Sequence, residues 1–360
     1  MDDNARRFVI SALRGLVRDR RSHHFSVPAE LSCEDSASVI EVVERNKIGG
    51  LLKSGAARAG LVLREELAHA LAKQQALAIA RNFENLVETE SVSDLLRAEG
   101  IAFVVIKGAA RSFEVFGGLD ARASNDIDVL VRRSDYARAG EVLCANGYIR
   151  GVPIDDRWWH DHLGESPFLP THSRGIVDIH HKVQQPGGPA PADIEAFFAT
   201  ASELKVAGRT YTVPHPHYAL LLAYISMSKA LRNAEPWLPY AAEIVLEKHR
   251  MTAMDRTKFN TLARGQGLTR MICEIDKVLD QVFTNALAPL RKSAEYRRAE
   301  QLALAAFDTH ALANRRFHRS RLLWQWTQGS GSKRLARFAG MSVQRMLCDL
   351  RRPKRSASSS

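Results

Sequence analysis

The stretch from Ile101 to Val131 constrains the fold of this chain most: IAFVVIKGAARSFEVFGGLDARASNDIDVLV. The β-branched run Ile101–Ile106 predicts a buried strand, and apolar residues at helical spacing predict a short helix that stops at Gly117-Gly118. A second apolar run follows a polar loop. The pattern therefore predicts strand, glycine turn, helix, loop and strand.

Two acidic side chains begin the second strand of this stretch. Because side chains alternate faces along a strand, Asp126 and Asp128 are expected on one face, while Ile127 and Val129 point into a core. Adjacent carboxylates repel each other, and a divalent cation between them relieves the repulsion. The pair therefore predicts a site for Mg²⁺ or Mn²⁺. Alone it is a weak indication, because nucleotide-sugar glycosyltransferases and ordinary acidic loops also contain DxD.

Two further features strengthen the prediction of a metal site. The Lys107-Gly108 turn opens a helix, and such a turn offers backbone N–H groups and a cation to phosphate oxygens. A later apolar run, residues 175–183, predicts another strand in which Asp178 and His180 share one face. We expect this strand beside the DxD strand, with three carboxylates converging. One metal ion would then hold a triphosphate, and a second would lower the pKa of an acceptor hydroxyl.

Residues 107–131 resemble the signature of the uncharacterised bacterial nucleotidyltransferases of the DNA polymerase β superfamily. The Lys-Gly turn, Arg122 shortly before the acids, and the DIDVLV strand carry the resemblance, and VDIHHKV at 177–183 is similar to the third-strand segment of that family. The resemblance covers about residues 35 to 250. It implies an α+β fold, in which helical regions flank a small mixed β-sheet nucleotidyltransferase core, and transfer of a nucleoside monophosphate from an NTP to a hydroxyl.

The resemblance also implies roles for seven residues. The catalytic metal ligands are Asp126, Asp128 and Asp178; the nucleotide-binding residues are Lys107, Gly108 and Arg122; and His180 contacts the acceptor or the nucleotide. Two positions depart from the pattern. Ala109 replaces the serine of the usual Gly-Ser pair, so Lys107 is expected to supply the missing phosphate contact, and His181 stands where the family often has Trp.

The rest of the chain predicts helices around this core. We expect a helical region at 1–98, the nucleotidyltransferase core at 99–215, a helical region at 216–345 and a basic, disordered tail at 346–360. The run from Leu63 to Glu99 predicts one long helix that Ser91–Asp94 kinks or recaps. A second helix is expected over Asp193–Leu204, before a small hairpin. The cluster Trp158–His162 predicts packing or surface contacts rather than a metal site.

Composition and charge indicate the cellular compartment that we expect for this protein, but they do not identify its binding partner. Net charge is +11, from 51 basic and 40 acidic residues, which allows nucleic-acid contact through a basic surface, as does the basic helix predicted over Lys333–Arg355. Four scattered cysteines and the absence of a signal peptide or membrane span predict a cytoplasmic protein. The acceptor is a small molecule, RNA or protein. Two alternatives stay open: a nucleotide-sugar glycosyltransferase, and a catalytically silent RNA- or protein-binding adaptor with the same fold.

Overall fold

The computed structural model describes residues 3–17, 31–151, 159–171, 175–283, 302 and 315–351. Seven strands are present in these ranges: β1 Phe103–Val105, β2 Asp126–Val131, β3 Tyr148–Arg150, β4 Glu165–Pro170, β5 Ile176–His180, β6 Ser202–Val206 and β7 Arg209–Val213. The helices before and within the sheet are α1 Asp3–Gly15, α2 Cys33–Asn46, α3 Gly49–Ala59, α4 Glu65–Ala98, α5 Ala109–Phe116, α6 Tyr136–Ala145 and α7 Glu195–Ala199. The helices after it are α8 Pro216–Asn233, α9 Leu238–Arg250, α10 Ala253–Gly265, α11 Thr269–Phe283, α12 Arg315–Trp326 and α13 Gly331–Leu350.

The predicted α+β class is confirmed: a five-stranded mixed sheet, with the order β1-β2-β5-β4-β3, has helices on both sides of it in sequence. β2 and β5 are parallel, whereas β1–β2, β5–β4 and β4–β3 are antiparallel. Since a parallel pair needs a long crossover, α6, β3 and β4 all lie between β2 and β5 in the chain. β6 and β7 form a separate hairpin, and Ala207 and Gly208 at its turn both have positive φ, as a tight twisted hairpin requires.

The two faces of the sheet meet different surroundings. Ile127, Val129 and Ile179 belong to an apolar cluster that includes residues of α4 and α6. On the other face, Val104 and Leu130 join a larger cluster drawn from the N-terminal helices and from the helices after residue 216. Because Asp126 and Asp128 share a face with Leu130, they point toward the side that α8 and α9 occupy. The domain limits at 98 and 215 stay predictions.

The long helix α4 runs unbroken through Ser91–Asp94, so the prediction that a new helix is capped there is wrong. Ser93 Oγ donates to the carbonyl of Thr89 at 2.6 Å, and Ser91 Oγ donates to the carbonyl of Val87 at 3.3 Å. Both hydroxyls therefore bond back to the preceding turn instead of capping a new helix.

One predicted helix is shorter than expected, and two local features of the structure were not predicted. The helix expected over Asp193–Leu204 is only α7, because Leu204 and Val206 pair with β7 instead. Strand β4 was not predicted from the sequence. Of the Trp158–His162 cluster, Trp158 lies outside the described residues, and Trp159–Leu163 form a short π-helical turn.

Among the helices that the structure describes, none has a stretch long and apolar enough to cross a membrane.

Candidate active site

The pairing of β2 with β5 brings together acids that are about fifty residues apart in sequence. In the parallel register Asp128 lies opposite Asp178, and Asp126 lies opposite Ile176. The predicted neighbourhood of the two strands is therefore confirmed. Side-chain alternation then places Asp126, Asp128, Asp178 and His180 on one face of the sheet.

Asp128, Asp178 and His180 form the closest part of this group. Each offers one ligand atom, and the three atoms lie within 4.8 Å of one another. His180 donates a hydrogen bond from Nε2 to Asp128 Oδ1 at 2.7 Å, and its Nδ1 lies 3.6 Å from Glu165 Oε2. Asp128 and His180 are buried, while Asp126 and Asp178 are partly exposed. We call these four side chains the acid cluster.

Burial and mutual repulsion in the acid cluster make it unfavourable for all three aspartates to be ionised at once. Burial, together with the charges of Asp128 and Asp126, raises the pKa of Asp178 to about 7. Burial and the charge of Asp128 also raise the pKa of Asp126. Asp128 differs: burial opposes its charged form, but Lys107 and His180 outweigh burial and hold its pKa well below the usual range.

The donor set of the acid cluster fits a divalent cation. Carboxylate oxygens are the ligands that Mg²⁺ and Mn²⁺ prefer, and imidazole nitrogen is accepted by the softer first-row metals. A bound cation would offset the repulsion that raises the pKa of Asp126 and Asp178. His180 lies here as a hydrogen-bonded partner of Asp128, so its contact with an acceptor or a nucleotide stays a prediction.

Lys107 and Gly108 form the turn between β1 and α5, beside the acid cluster. Lys107 Nζ is 3.8 Å from Asp128 Oδ1, and the lysine side chain is one-quarter exposed. Burial disfavours its ammonium form, but the nearby acids, Asp128 first, outweigh burial and raise its pKa. Gly108 has φ +98°, and an added Cβ would lie 3.5 Å from the carbonyl oxygen of Asp126. This backbone conformation favours glycine and brings the start of α5 against the start of β2.

Arg122 lies at the same end of β2 and carries an unused donor. Its guanidinium carbon is 5.5 Å from the centre of the Tyr240 ring, and its charge helps to lower the pKa of Asp126. Its Nε is buried and has no hydrogen-bond partner in the described part of the chain. The structure therefore leaves this group available near the acids, and its contact with phosphate stays a prediction.

Two asparagines of α4 hold the loop that precedes the acids. Asn82 Nδ2 donates to the carbonyls of Leu119 and Arg122 at 2.6 and 2.7 Å, and Asn82 Oδ1 accepts from the Ser124 amide at 2.9 Å. Asn85 Nδ2 donates to the carbonyl of Ser124 at 2.9 Å. Sequence reasoning missed both residues. The available signal was a pair of asparagines three residues apart, on the buried side of an otherwise helix-favouring run.

Three more residues that sequence reasoning missed adjoin the site. Lys229 of α8 helps to keep the pKa of Asp128 low, Tyr240 of α9 lies near Lys107, and Glu165 of β4 faces His180. The helices predicted as flanking scaffold thus contribute charged and aromatic side chains to the acid face. In the sequence, Lys229 near the end of the apolar run of α8 was the visible sign of this contribution.

His181, which stands where the resembling family often has Trp, lies in an aromatic cluster beside the site. Its ring is 4.7 Å from that of Tyr136 in an edge-on arrangement, and 5.2 Å from that of His160. Burial is the main reason that the pKa of His181 falls to about 4, so the ring is neutral. The packing predicted for the histidine cluster is confirmed for His160.

Comparisons with known proteins agree with this geometry at the level of the family. No curated protein and no solved structure matches the chain. A family model described as uncharacterised nucleotidyltransferase matches residues 32–284, a range that includes the whole acid cluster, Lys107, Gly108 and Arg122. Because this match covers well over half of the sequence, the chain belongs to that family of nucleotidyltransferases.

Proposed function

We propose that this protein is a metal-dependent nucleotidyltransferase that moves a nucleoside monophosphate from an NTP to a hydroxyl of an acceptor. One observation carries the proposal: the parallel register of β2 and β5 sets Asp128 opposite Asp178, with His180 in the same 4.8 Å cluster. A purely structural role would not require so many ionisable groups on a half-buried face, because burying unpaired charge is costly.

Asp126, Asp128 and Asp178 would hold Mg²⁺ or Mn²⁺. When bound, such ions neutralise charge on the triphosphate and lower the pKa of the attacking hydroxyl. Two ions are proposed, one on the DxD pair for the triphosphate and one shared with Asp178 for the acceptor. The parallel pairing of the two strands supports this division, because it sets the DxD and Asp178 side by side.

The cations around the acid cluster would bind the triphosphate. Lys107 and Arg122 present an ammonium and an unused guanidinium N–H on the acid face, and the first backbone N–H groups of α5 lack helical partners. Lys107 takes the place of the serine hydroxyl that is missing at Ala109. Anchoring both ends of the triphosphate orients the α-phosphorus for in-line attack, and this positioning supplies much of the rate in phosphoryl transfer.

The proposed reaction is a single in-line transfer. The acceptor hydroxyl oxygen attacks the α-phosphorus, the bond from that phosphorus to the bridging oxygen breaks, and pyrophosphate leaves. Asp178, beside the DxD strand, would help to activate the acceptor hydroxyl by taking its proton. His180 would hold Asp128 by its hydrogen bond, and the Glu165 carboxylate lies 3.6 Å from the opposite nitrogen of the ring.

A labelling experiment tests the proposal and separates it from its alternatives. The protein is incubated with each α-labelled NTP, Mg²⁺ and cell extract, and the label is located. We expect wild-type protein to transfer label and release pyrophosphate, and Asp126→Asn and Asp128→Asn to do neither. Release of sugar from a nucleotide sugar without label transfer would indicate a glycosyltransferase. No turnover of any NTP, with binding of RNA or protein intact, would indicate an adaptor.

A further inference from the structure

The helix α13 packs on the rest of the protein along only one of its sides. It has twenty residues, of which six are buried or half-buried, namely Arg334, Phe338, Met341, Ser342, Arg345 and Cys348. These positions recur mostly at steps of three or four residues, so they share one side of the helix. All the other residues of α13 are exposed. Most of the surface of this helix therefore faces solvent.

Contacts along the packed side determine which side of α13 faces outward. Near its start, Trp324 of α12 packs edge-on against Phe338, with the ring centres 5.3 Å apart. In its second half, an added Cβ on Gly187, in the loop after β5, would lie 2.6 Å from Cβ of Arg345. Cys348, close to the end of the helix, is buried. Contacts along the length of the helix thus fix its rotation about its own axis.

The outward side of α13 carries a row of exposed apolar side chains. Val343 is 47% exposed and Leu350 is 72% exposed, with Leu335 and Met346 between these values. Together with the exposed Ala339, they are spaced four, four, three and four residues apart, which places them on one side of a helix. We call these five side chains the apolar stripe. A continuous exposed apolar surface of this kind is typical of a site that binds a protein or a membrane.

Basic side chains border the apolar stripe. Lys333 and Arg351 are eighteen residues apart, or five helical turns, so they lie on one line along the helix, and Arg337 lies close to that line. All three are exposed. The sequence of residues 331–355 contains eight lysines and arginines but a single acid, Asp349, which forms an ion pair within the helix. The outward side therefore combines apolar surface with positive charge.

This combination fits an anionic lipid surface better than it fits other partners. Pairing with α13 of a second copy would bring two strongly positive segments together, and like charges at an interface are unfavourable. A nucleic acid would use the positive charge through its phosphates but would leave the apolar stripe in water. A helix at a membrane surface uses both features, because its apolar side enters the boundary between headgroups and acyl chains while its basic side chains reach anionic headgroups.

We propose that α13 binds the surface of a bilayer that contains anionic phospholipids. The helix lies parallel to that surface, with the apolar stripe at the boundary of the acyl chains and with Lys333, Arg337 and Arg351 at the headgroups. The packed side of the helix keeps the rest of the protein in water. Membrane binding of this kind does not depend on the proposed nucleotidyl transfer.

Flotation of the full chain with lipid vesicles tests the role of the apolar stripe. We expect the wild type to float with vesicles made of equal parts phosphatidylcholine and phosphatidylserine, and not with phosphatidylcholine alone. The double variant Leu335→Gln/Met346→Gln should lose binding, since glutamine keeps a high helix propensity but removes apolar surface. The matched control is Leu77→Gln on α4, a leucine that is 50% exposed, and it should bind as the wild type does.

A second double variant tests the role of the charges. Lys333→Gln/Arg351→Gln should weaken binding to the mixed vesicles by about thirtyfold, because each basic residue at an anionic surface contributes about fivefold. Salt should weaken the binding of the wild type more than that of this variant, since salt screens exposed charges. Lys73→Gln, which removes an exposed charge of α4, is the control and should bind normally.

Three results would overturn the proposal. The first is a wild type that does not bind the mixed vesicles, and the second is wild-type binding by both double variants. The third is a different partner for the stripe or the charges. Sedimentation equilibrium would reveal a dimer that Leu335→Gln/Met346→Gln fails to form, which would identify a second copy. Binding of polyuridylate without binding of vesicles would identify a nucleic acid.

Two further measurements separate membrane binding from folding and from catalysis. Because the apolar stripe is exposed, Leu335→Gln/Met346→Gln should unfold at the wild-type temperature, and a clearly lower temperature would show that the stripe packs against the chain itself. If this variant does not fold, Lys333→Gln/Arg351→Gln decides by its affinity for the mixed vesicles. Asp128→Asn should lose nucleotidyl transfer and still bind these vesicles. Vesicle binding without label transfer would leave the membrane helix standing, and label transfer without vesicle binding would refute it alone.

Discussion

The acid cluster and the surroundings of the buried Arg232 of α8 bring together charges of opposite sign. In the acid cluster three aspartates lie on one face of the sheet, and two of the three have a raised pKa. Around Arg232, burial and the charges of Arg345 and Arg319 lower the pKa of the arginine to about 10. One helix connects them, because α8 carries both Lys229 and Arg232. The difference supports the proposal that the acid cluster binds a cation together with its nucleotide.

The buried Arg111 of α5 gives a reference in which acids of the chain meet the buried charge. Its guanidinium is as deeply buried as that of Arg232, but it meets Glu243 at 2.7 Å, Glu114 at 2.6 Å and Glu247 at 3.6 Å. Its partners in α9 fasten that helix to the helix that follows Gly108. Removing one partner of such a buried ion pair is destabilising, because it leaves the remaining charges buried and unpaired.

The largest effect is expected at Asp178. Asp178→Asn should lower nucleotidyl transfer by about 10³-fold, the scale on which enzymes lose a principal electrostatic group. The unfolding temperature without ligand should stay the same or rise, because the substitution removes repulsion from Asp128 and Asp126. Steady-state transfer assays and calorimetry measure the two quantities. If the variant is less stable but fully active, Asp178 is a structural residue, and the contrast between the acid cluster and the acid-paired Arg111 does not hold.

Substitution of Arg111, whose buried charge is met by acids of the chain, should have the opposite effect on stability. Arg111→Met leaves three glutamates without their partner, so the free energy of unfolding should fall by about 3–5 kcal/mol. Denaturant unfolding measures this loss. The exposed pair of Arg97 and Asp94 supplies the control, since Arg97→Met should cost no more than about 1 kcal/mol. Equal losses for the two variants would show that burial and pairing do not distinguish these arginines.

A smaller effect is expected at Lys107, which is a cation inside the acid cluster. If it contacts the triphosphate, Lys107→Ala should weaken binding of a non-hydrolysable NTP analogue by about 1.5–3 kcal/mol, the value of a charge-assisted hydrogen bond. Titration calorimetry measures this, with the exposed Lys73→Ala as control. If Lys107→Ala binds the analogue as tightly as the wild type does but is less stable, Lys107 serves only as a counter-ion of Asp128.

Local patterns in the sequence predicted the centre of the site well. The alternation in β2 predicted the shared face of Asp126 and Asp128, and the apolar run around Asp178 predicted its strand. The nearness of the two strands came from combining these patterns with a resemblance to a family. The alternation in β2 and the apolar run around Asp178 each involve residues that are close together in the chain, so they can be recognised in a single sequence.

The parts that failed depend on contacts between distant segments. Pro167 and Pro170 obscured strand β4, which is held by its neighbours β5 and β3. The loop contacts of Asn82 cross about forty residues. Lys229 looked like the polar end of a buried helix, and only the packing of α8 against the acid face gives it a role.

Binding of Mn²⁺, followed by electron paramagnetic resonance without any substrate, tests the central claim most directly. The account predicts that wild-type protein binds Mn²⁺, and that Asp128→Asn and Asp178→Asn each weaken this binding while both variants stay folded. Asp120→Asn, in the loop before the acids, is the matched control and should bind as the wild type does. Wild-type affinity for Mn²⁺ in both acid-cluster variants would contradict a metal site shared by β2 and β5.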